Sequence, residues 1–158
     1  MAIRTIVKLG EECLRKVCKP QEKFDLRLWV LLKDMADTMY KANGVGLAAP
    51  QVGILRRVVL VDTGDEILEL VNPTILETDG EQVGAEGCLS VPGKYGLVKR
   101  PYYAKVRAQD RYGEWYEAEG EELIGRCFCH ELDHLDGILY TEIMERFLTE
   151  EELQYDED

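Results

Sequence analysis

The sequence predicts an α+β protein in which small, mainly antiparallel sheets surround a central helix. Three observations predict this class: an early segment with helical apolar spacing, several short segments rich in Val, Ile and Leu, and a late helical segment that carries both histidines. The chain has 158 residues, enough for one domain of ordinary size. Because it contains no repeat or break in composition, we expect one domain over residues 1–147, followed by an acidic tail over residues 148–158 in which a short helix can form.

The first helix is predicted over residues 25–43. Asp25 can cap its start by accepting hydrogen bonds from the first turn. Asn43 and Gly44 provide a stop at its end. Helical spacing places one set of apolar side chains on a single face, which we expect to be buried: Leu28, Leu31, Leu32, Met35, Met39 and Ala42.

Short strands are predicted in the middle of the chain. Residues 57–62 and 67–72 are rich in Val, Ile and Leu and are separated by a Thr-Gly-Asp turn. Residues 104–110 and 114–118 have the pattern of a hairpin around a Tyr-Gly turn.

The second helix is predicted over residues 121–135 and is the central one. Leu123, Cys127, His130 and His134 follow each other at helical spacing and form a narrow stripe. Other apolar side chains of this helix point in different directions, so we expect it to be buried on several sides.

Composition excludes several classes of function. Acidic side chains outnumber basic ones by 31 to 19, which gives a net charge of −12. Because nucleic-acid binding requires Lys and Arg against phosphate, we expect no direct nucleic-acid binding. No apolar run is long enough to span a bilayer and no export signal precedes the domain, so we expect a cytoplasmic protein without a membrane partner. The five cysteines are then expected to be thiols.

The pattern H-E-x-x-H at residues 130–134 indicates a metal site. His130 and His134 lie four positions apart on one helix face, so both rings can reach one ion. Glu131 lies one step around the helix, where it can take a proton from water and return one to a leaving group. The alternative is a pair of packed helix histidines, since such a short pattern also occurs in helices without metal.

A third ligand must come from elsewhere in the chain. The extended pattern with a third histidine fails, because Tyr140 stands at that position. A glutamate from residues 150–152 would give a zinc peptidase site, although this acidic run is more simply a solvated face. We favour Cys88, which lies among glycines and a proline that let the backbone approach a ligand.

Residues 44–51 form a third unusual segment, with two glycines, two alanines and a proline before Gln51. The small residues leave room for a ligand beside the backbone. The Gln51 amide N–H could serve a developing oxyanion.

Together these segments resemble the peptide deformylases, which are marked by the same three motifs in the same order: GVGLAAPQ here at residues 44–51, EGCLS at 86–90 and HELDH at 130–134. The resemblance covers nearly the whole chain and favours the shorter bacterial-type subgroup. It implies hydrolysis of the N-formyl group from the formylmethionine of nascent polypeptides, with release of formate. A water held by the metal would attack the formyl carbon.

The resemblance also implies roles for individual residues. Cys88, His130 and His134 would hold one divalent metal, with Fe²⁺ expected from the family and Zn²⁺, Ni²⁺ or Co²⁺ also suited to these donors. Glu131 would be the general acid and base, while Gln51 and the backbone N–H of Leu89 would stabilise the oxyanion. The residues expected to bind the substrate are Val45, Gly46, Gly87, Leu123 and Cys127.

The expected partners are formyl-methionyl N-termini of nascent chains. Proximity to the ribosome would be transient, because the acidic C-terminus offers no basic docking tail for RNA. The chain departs from the common family pattern at Cys129, where many members have Gln, and we expect only a change of packing because this side chain faces away from the metal.

Two alternatives stay open at this stage, one of them an enzyme and one not. One is the zinc peptidase with a glutamate from residues 150–152. The other is a metal-sensing or redox-sensing protein that uses the same cysteine and histidines without turnover. Glu131 and Gln51 argue against the sensor, because a protein that only holds a metal needs neither.

Overall fold

The computed structural model describes residues 2–156. The helices in this part of the chain are α1 (Leu26–Lys41), α2 (Leu123–Leu135), α3 (Tyr140–Ile143) and α4 (Glu150–Asp156), with 3-10 turns at Glu12–Arg15 and Ala49–Val52. The strands are β1 (Gly46–Ala48), β2 (Val58–Asp62), β3 (Ile67–Asp79), β4 (Gln82–Cys88), β5 (Val91–Arg100), β6 (Tyr103–Gln109) and β7 (Trp115–Glu121).

The strands form two separate antiparallel sheets. The larger has the order β1-β2-β3-β6-β7, and the smaller consists of β4 and β5. Helix α2 contacts both sheets. The prediction of an α+β protein with small antiparallel sheets around a central helix is therefore confirmed.

Helix α1 has the predicted ends. The Asp25 carboxylate accepts a hydrogen bond from the Leu28 N–H. At the other end Asn43 adopts a positive φ of 58°, and the Gly44 N–H donates to the Met39 carbonyl. The apolar face of the helix is buried from Leu28 to Met39, as its spacing predicts.

Strand β2 is buried on both faces because the two long helices pack on opposite sides of it. Val59 and Val61 belong to the core beneath α2, where they lie with Phe128. Val58 and Leu60 belong to the core beneath α1. Side chains on either face of β2 therefore pack against a helix, which explains why apolar and polar residues do not alternate along this strand. Because β1 pairs with β2, this packing also fixes the position of α2 relative to β1.

The strand predictions are incomplete. The glycines and the proline around Cys88 indicate turns, whereas Cys88 ends strand β4, and the turn is confined to Leu89 and Ser90 before β5 begins. Strand β3 runs seven residues beyond the predicted end at residue 72, past Pro73. Its register with β6 shifts between Val71 and Thr74, so the proline stands where pairing is already interrupted.

The acidic segment contains helix α4. Thr149 Oγ accepts a hydrogen bond from the Glu152 N–H at 3.3 Å, and the Glu152 carboxylate accepts one from the Thr149 N–H at 3.0 Å, which is the reciprocal arrangement of a capping box. Residues 157–158 of the predicted tail lie outside the described residues, and the division at residue 147 stays a prediction. None of the described helices combines the length and the apolar character that crossing a membrane requires.

Candidate metal centre

A cavity of about 630 Å³ opens beside α2, between β1 and the turn that joins β4 to β5. Except for His134, which lies behind His130 on α2, the sequence-predicted site residues all line it. Three distant parts of the chain thus meet at one cleft. They meet because α2 packs against the sheet that contains β1 and also against the β4-β5 hairpin.

Cys88 and His130 line this cleft, and the His134 ring lies against both of them. One ligand atom from each lies within 4.8 Å of the others, and the Cys88 Sγ lies 3.3 Å from the His134 Nε2. A tetrahedral ion with ordinary metal–sulfur and metal–nitrogen bonds would hold such a pair about 3.6 Å apart. One thiolate and two imidazoles are a donor set that suits several divalent metals. The arrangement therefore fits a single metal ion.

Glu86 holds the ring of His130. Its carboxylate lies 2.6 Å from the His130 Nδ1. Burial would raise the pKa of Glu86, but the hydrogen bonds from His130 and Arg100 outweigh it and hold this pKa well below its ordinary value. An ionised carboxylate accepts the Nδ1 proton, so the lone pair of His130 is on Nε2, facing the cluster.

Two buried arginines complete the environment of Glu86. Arg100 donates to both carboxylate oxygens at 3.0 and 2.7 Å, and Arg126 donates to one of them at 2.9 Å. Arg100 also donates to Asp133 at 2.6 Å, and Arg126 donates to the Val98 carbonyl at 3.1 Å. The position of His130 is therefore fixed by a fully hydrogen-bonded buried network.

Gln51 presents its amide nitrogen to the cluster. Its Oε1 accepts a hydrogen bond from the Ala48 N–H at 2.9 Å, which fixes the orientation of the amide. Its Nε2 consequently faces Ser90 Oγ at 3.1 Å and Cys88 Sγ at 3.4 Å. A donor held this close to the cluster is placed where a bound carbonyl oxygen could accept from it.

Glu131 is buried in the wall of the cleft with one carboxylate oxygen unpaired. Its Oε1 finds no hydrogen-bond partner among the described residues. Burial raises the pKa of Glu131 to about 7, although the charge of His130 acts in the opposite direction. A carboxyl group with such a pKa can hold or release a proton near neutral pH.

Gly46 makes room for Glu131. A Cβ at this position would lie 2.5 Å from the Glu131 Oε2 and 2.8 Å from the Cys127 Sγ, closer than non-bonded atoms approach. The glycine on β1 is thus required by the close packing of β1 on α2, as the small residues of the motif indicate.

The remaining predicted residues form the walls of the cleft. Val45 and Leu123 are 46% and 59% exposed, so both offer apolar surface to a ligand at the mouth. Gly87 lies against the ring of Tyr95, and Leu89 occupies the turn after β4. Cys127 is buried, and burial raises the pKa of its thiol well above the ordinary value, so it lines the wall as a neutral group.

Cys129 faces a different side of α2. It lines a separate cavity together with Leu132 and Arg57. The other cysteines are likewise free thiols. Burial raises the pKa of Cys18 to about 11, so this thiol is an apolar core group.

None of the glutamates at 150–152 belongs to the described group that could hold a metal, and one of them is paired elsewhere. Glu152 pairs with Arg146 at 2.7 Å. In the described part of the chain the group that could hold a metal is Cys88 with the two histidines. This geometry favours Cys88 over a tail glutamate as the third ligand.

Three residues that support the site were not predicted from the sequence: Glu86, which was noted only as part of the EGCLS motif, Arg126 and Ser90. Arg126 carries a readable signal, because it lies four residues before His130 and hence on the same face of α2. The sequence signal for Glu86 is weaker: it lies two residues before Cys88 in strand β4, so both side chains are on the same face of the strand. The contact between Glu86 and Arg126 joins residues 40 apart, and nothing local in the sequence indicates it.

A buried glutamate beside a cysteine and two histidines, at the bottom of an open cleft in an α+β domain, defines the class of enzyme: hydrolases with an H-E-x-x-H helix. The family model described as polypeptide deformylase matches residues 3–149. The peptide deformylase of Acetivibrio thermocellus is 55% identical over 154 residues, which cover 98% of this chain and 91% of that protein. The chain belongs to the peptide deformylase family.

Solved structures agree with this assignment. The crystal structure of peptide deformylase from Thermotoga maritima matches with a TM-score of 0.89 and 41% identity, and the match covers 92% of this chain and 99% of that one. The Met-Ala-Ser-bound crystal structure of class I type b peptide deformylase from Acinetobacter baumannii matches with a TM-score of 0.85 and 36% identity, covering 90% and 99%.

Proposed function

We propose that this enzyme removes the N-formyl group from the formylmethionine of nascent polypeptides by metal-dependent hydrolysis, releasing formate. The observation that carries the proposal is the convergence of Glu131, the Gln51 amide and the Cys88-His130-His134 cluster on one cleft. Family membership supports the reaction, and the three groups supply the parts that amide hydrolysis requires.

Cys88, His130 and His134 would hold one divalent ion, which we propose to be Fe²⁺ in the cell. When bound, such an ion supplies Lewis acidity: it polarises the formyl oxygen and lowers the pKa of water toward about 7. The geometry supports this choice of ligands through the close approach of the sulfur to the His134 Nε2. Glu86 contributes by holding His130 in the required tautomer.

Gln51 and Leu89 would stabilise the charge that develops on the formyl oxygen. The Gln51 Nε2 points to the cluster because its Oε1 is already held by the Ala48 N–H. The Leu89 backbone lies in the adjoining turn, directly after Cys88. Donors fixed in advance need no rearrangement during the reaction, and the loss of one such donor typically costs 10²–10³-fold in rate.

Glu131 would move the protons. Its carboxylate would take a proton from the attacking water and give one to the departing amine nitrogen of methionine. The unpaired Oε1 and the raised pKa support this role, because the group is buried yet has a hydrogen-bonding position to spare. An amide nitrogen leaves readily only when it is protonated.

The substrate would enter with its methionine side chain against the apolar wall. The residues proposed to receive the methionine and its backbone are Val45, Gly46, Gly87, Leu123 and Cys127, which line the cleft. A formyl group carries only hydrogen on its carbon, so a close-packed site can admit it and exclude larger acyl groups. The proposed partners are the N-termini of nascent chains in the cytoplasm.

The test compares formyl-Met-Ala-Ser with acetyl-Met-Ala-Ser as substrates for protein purified without oxygen and reconstituted with Fe²⁺. The proposal expects formate and free Met-Ala-Ser from the formyl peptide. The acetyl peptide should turn over about a hundredfold more slowly, which is the discrimination that a close-packed site can achieve against one additional methyl group. Cleavage of an internal peptide bond would identify a peptidase instead. Stoichiometric metal without turnover of either peptide would identify a protein that only holds metal.

A further inference from the structure

The exposed charged side chains that line the cleft are of one sign. Glu86 and Glu131 line the cleft but are each only 4% exposed, and Arg126 is buried against Glu86. The exposed charged residues of the lining are Lys8 and Lys94. Neither makes an ion pair with any residue that the structure describes. The exposed charge of the cleft lining is therefore positive, although the chain carries a net charge of −12.

Lys8 is held near the reacting groups by its neighbours in the chain. The Val7 N–H donates to the Gln51 carbonyl at 2.7 Å, and the Leu9 N–H donates to the Ser90 carbonyl at 2.8 Å. The backbone of Lys8 therefore lies between the two segments that carry the amide donor and the turn after Cys88.

Lys94 is fixed on the other side of that turn, on β5. Its Nζ lies 5.0 Å from the centre of the Phe147 ring, and the segment around Phe147 is in turn paired with β5, since the Leu148 N–H donates to the Tyr95 carbonyl. Contact with an aromatic face leaves the charge and the N–H donors of an ammonium group available.

Because a peptide must leave the cleft through its mouth, the residues that follow methionine pass these two cations. We propose that Lys8 and Lys94 make this enzyme prefer formyl-methionyl chains with an acidic residue within the first three positions after methionine. The proposal rests on the proposed function and names its substrate class more narrowly. Acidic side chains more than about 10 Å from the bound peptide are largely screened at ordinary ionic strength, whereas charges that line the cleft act on it from a shorter distance.

The expected size of the preference follows from Coulomb's law. At roughly 7 Å in a medium as polar as water, one lysine changes the binding of a carboxylate about threefold. Two lysines acting together should make kcat/KM about 5–10-fold higher for a Glu peptide than for the matching Gln peptide at low salt. A Lys peptide should have a lower kcat/KM than the Gln peptide, because like charges repel. Raising the ionic strength from about 20 mM to about 500 mM should remove most of it.

The test measures kcat/KM for formyl-Met peptides in which Glu, Gln or Lys is placed in turn at the first, second and third position after methionine. The readout is the ratio of Glu to Gln peptides within each variant, so that changes in overall activity cancel. The variants are Lys8→Gln, Lys94→Gln and the double substitution. Lys99→Gln is the matched control, because Lys99 lies on the same strand as Lys94, outside the cleft lining, and its loss changes the net charge equally.

The proposal expects a Glu-to-Gln ratio of about 5–10 in at least one position, reduced to near one in the double variant and unchanged in Lys99→Gln. A ratio near one at all three positions in the unmodified enzyme would overturn it, as would a preference that survives in the double variant. Turnover of the Gln peptides shows that the proposed function holds even if the preference fails. An absence of turnover for every peptide would instead contradict the proposed function.

Discussion

Replacing Glu86 with Gln tests whether the buried network around His130 supports the fold as well as the site. The substitution keeps the shape of the side chain but removes the charge that faces Arg100, Arg126 and His130 at 2.6 to 3.0 Å. Both arginines are less than 10% exposed, so water cannot replace the lost partner. Removing one partner of a buried ion pair typically costs about 3–5 kcal/mol of unfolding free energy.

For a domain of this size each kcal/mol lowers the midpoint of thermal unfolding by about 2–4 °C, so the midpoint of Glu86→Gln should fall by about 6–20 °C. Circular dichroism during heating measures it. The matched control is Glu152→Gln, which removes the same charge from an exposed pair with Arg146 and should leave the midpoint nearly unchanged. Equal midpoints for Glu86→Gln and the unmodified protein would refute the argument that this carboxylate neutralises two buried cations.

Three further predictions concern single residues of the cleft. Cys88→Ala should reduce metal content, measured by elemental analysis, from near one ion per chain to near zero, whereas the peptidase hypothesis expects no change. Gln51→Leu should keep its metal but lose about 10²–10³-fold in kcat for a formyl-Met peptide, because an oxyanion donor is gone; an unaltered kcat would remove the amide from the mechanism. Gly46→Ala places a methyl group 2.5 Å from the Glu131 Oε2, so kcat/KM should fall about a hundredfold through displacement of that carboxylate, and a crystal structure with Glu131 unmoved would contradict this.

The parts of the fold that were predictable are those governed by local periodicity. The caps of α1 at Asp25 and Asn43 follow from the residue types alone, and the structure has both. The stripe of His130 and His134 follows from helical geometry. Strands β4 and β5 were not recognised, because their four glycines and one proline have low strand propensity and the strands exist through their pairing with each other.

The candidate site likewise has a part that local sequence motifs predict and a part that depends on tertiary packing. The motifs indicated which residues meet at the cleft, and the structure brings Cys88 to the histidines although it is 42 residues from His130 in the sequence. The support around them was not predictable, because Glu86 reaches Arg126 only through the packing of the β4-β5 hairpin on α2. The charge of the cleft lining was not predicted either, since a net charge of −12 gives no indication that two exposed lysines line the cleft.

The central claim, that this cleft hydrolyses formyl-methionine with Glu131 as its base, is tested most directly by formate release from formyl-Met-Ala-Ser by the unmodified enzyme and by Glu131→Gln, both loaded with the same measured content of Fe²⁺. Because the glutamine keeps the shape of the side chain but cannot carry the proton, the account predicts formate from the first protein and a rate lower by about 10²–10⁴-fold from the second. Equal rates at equal metal content would contradict it.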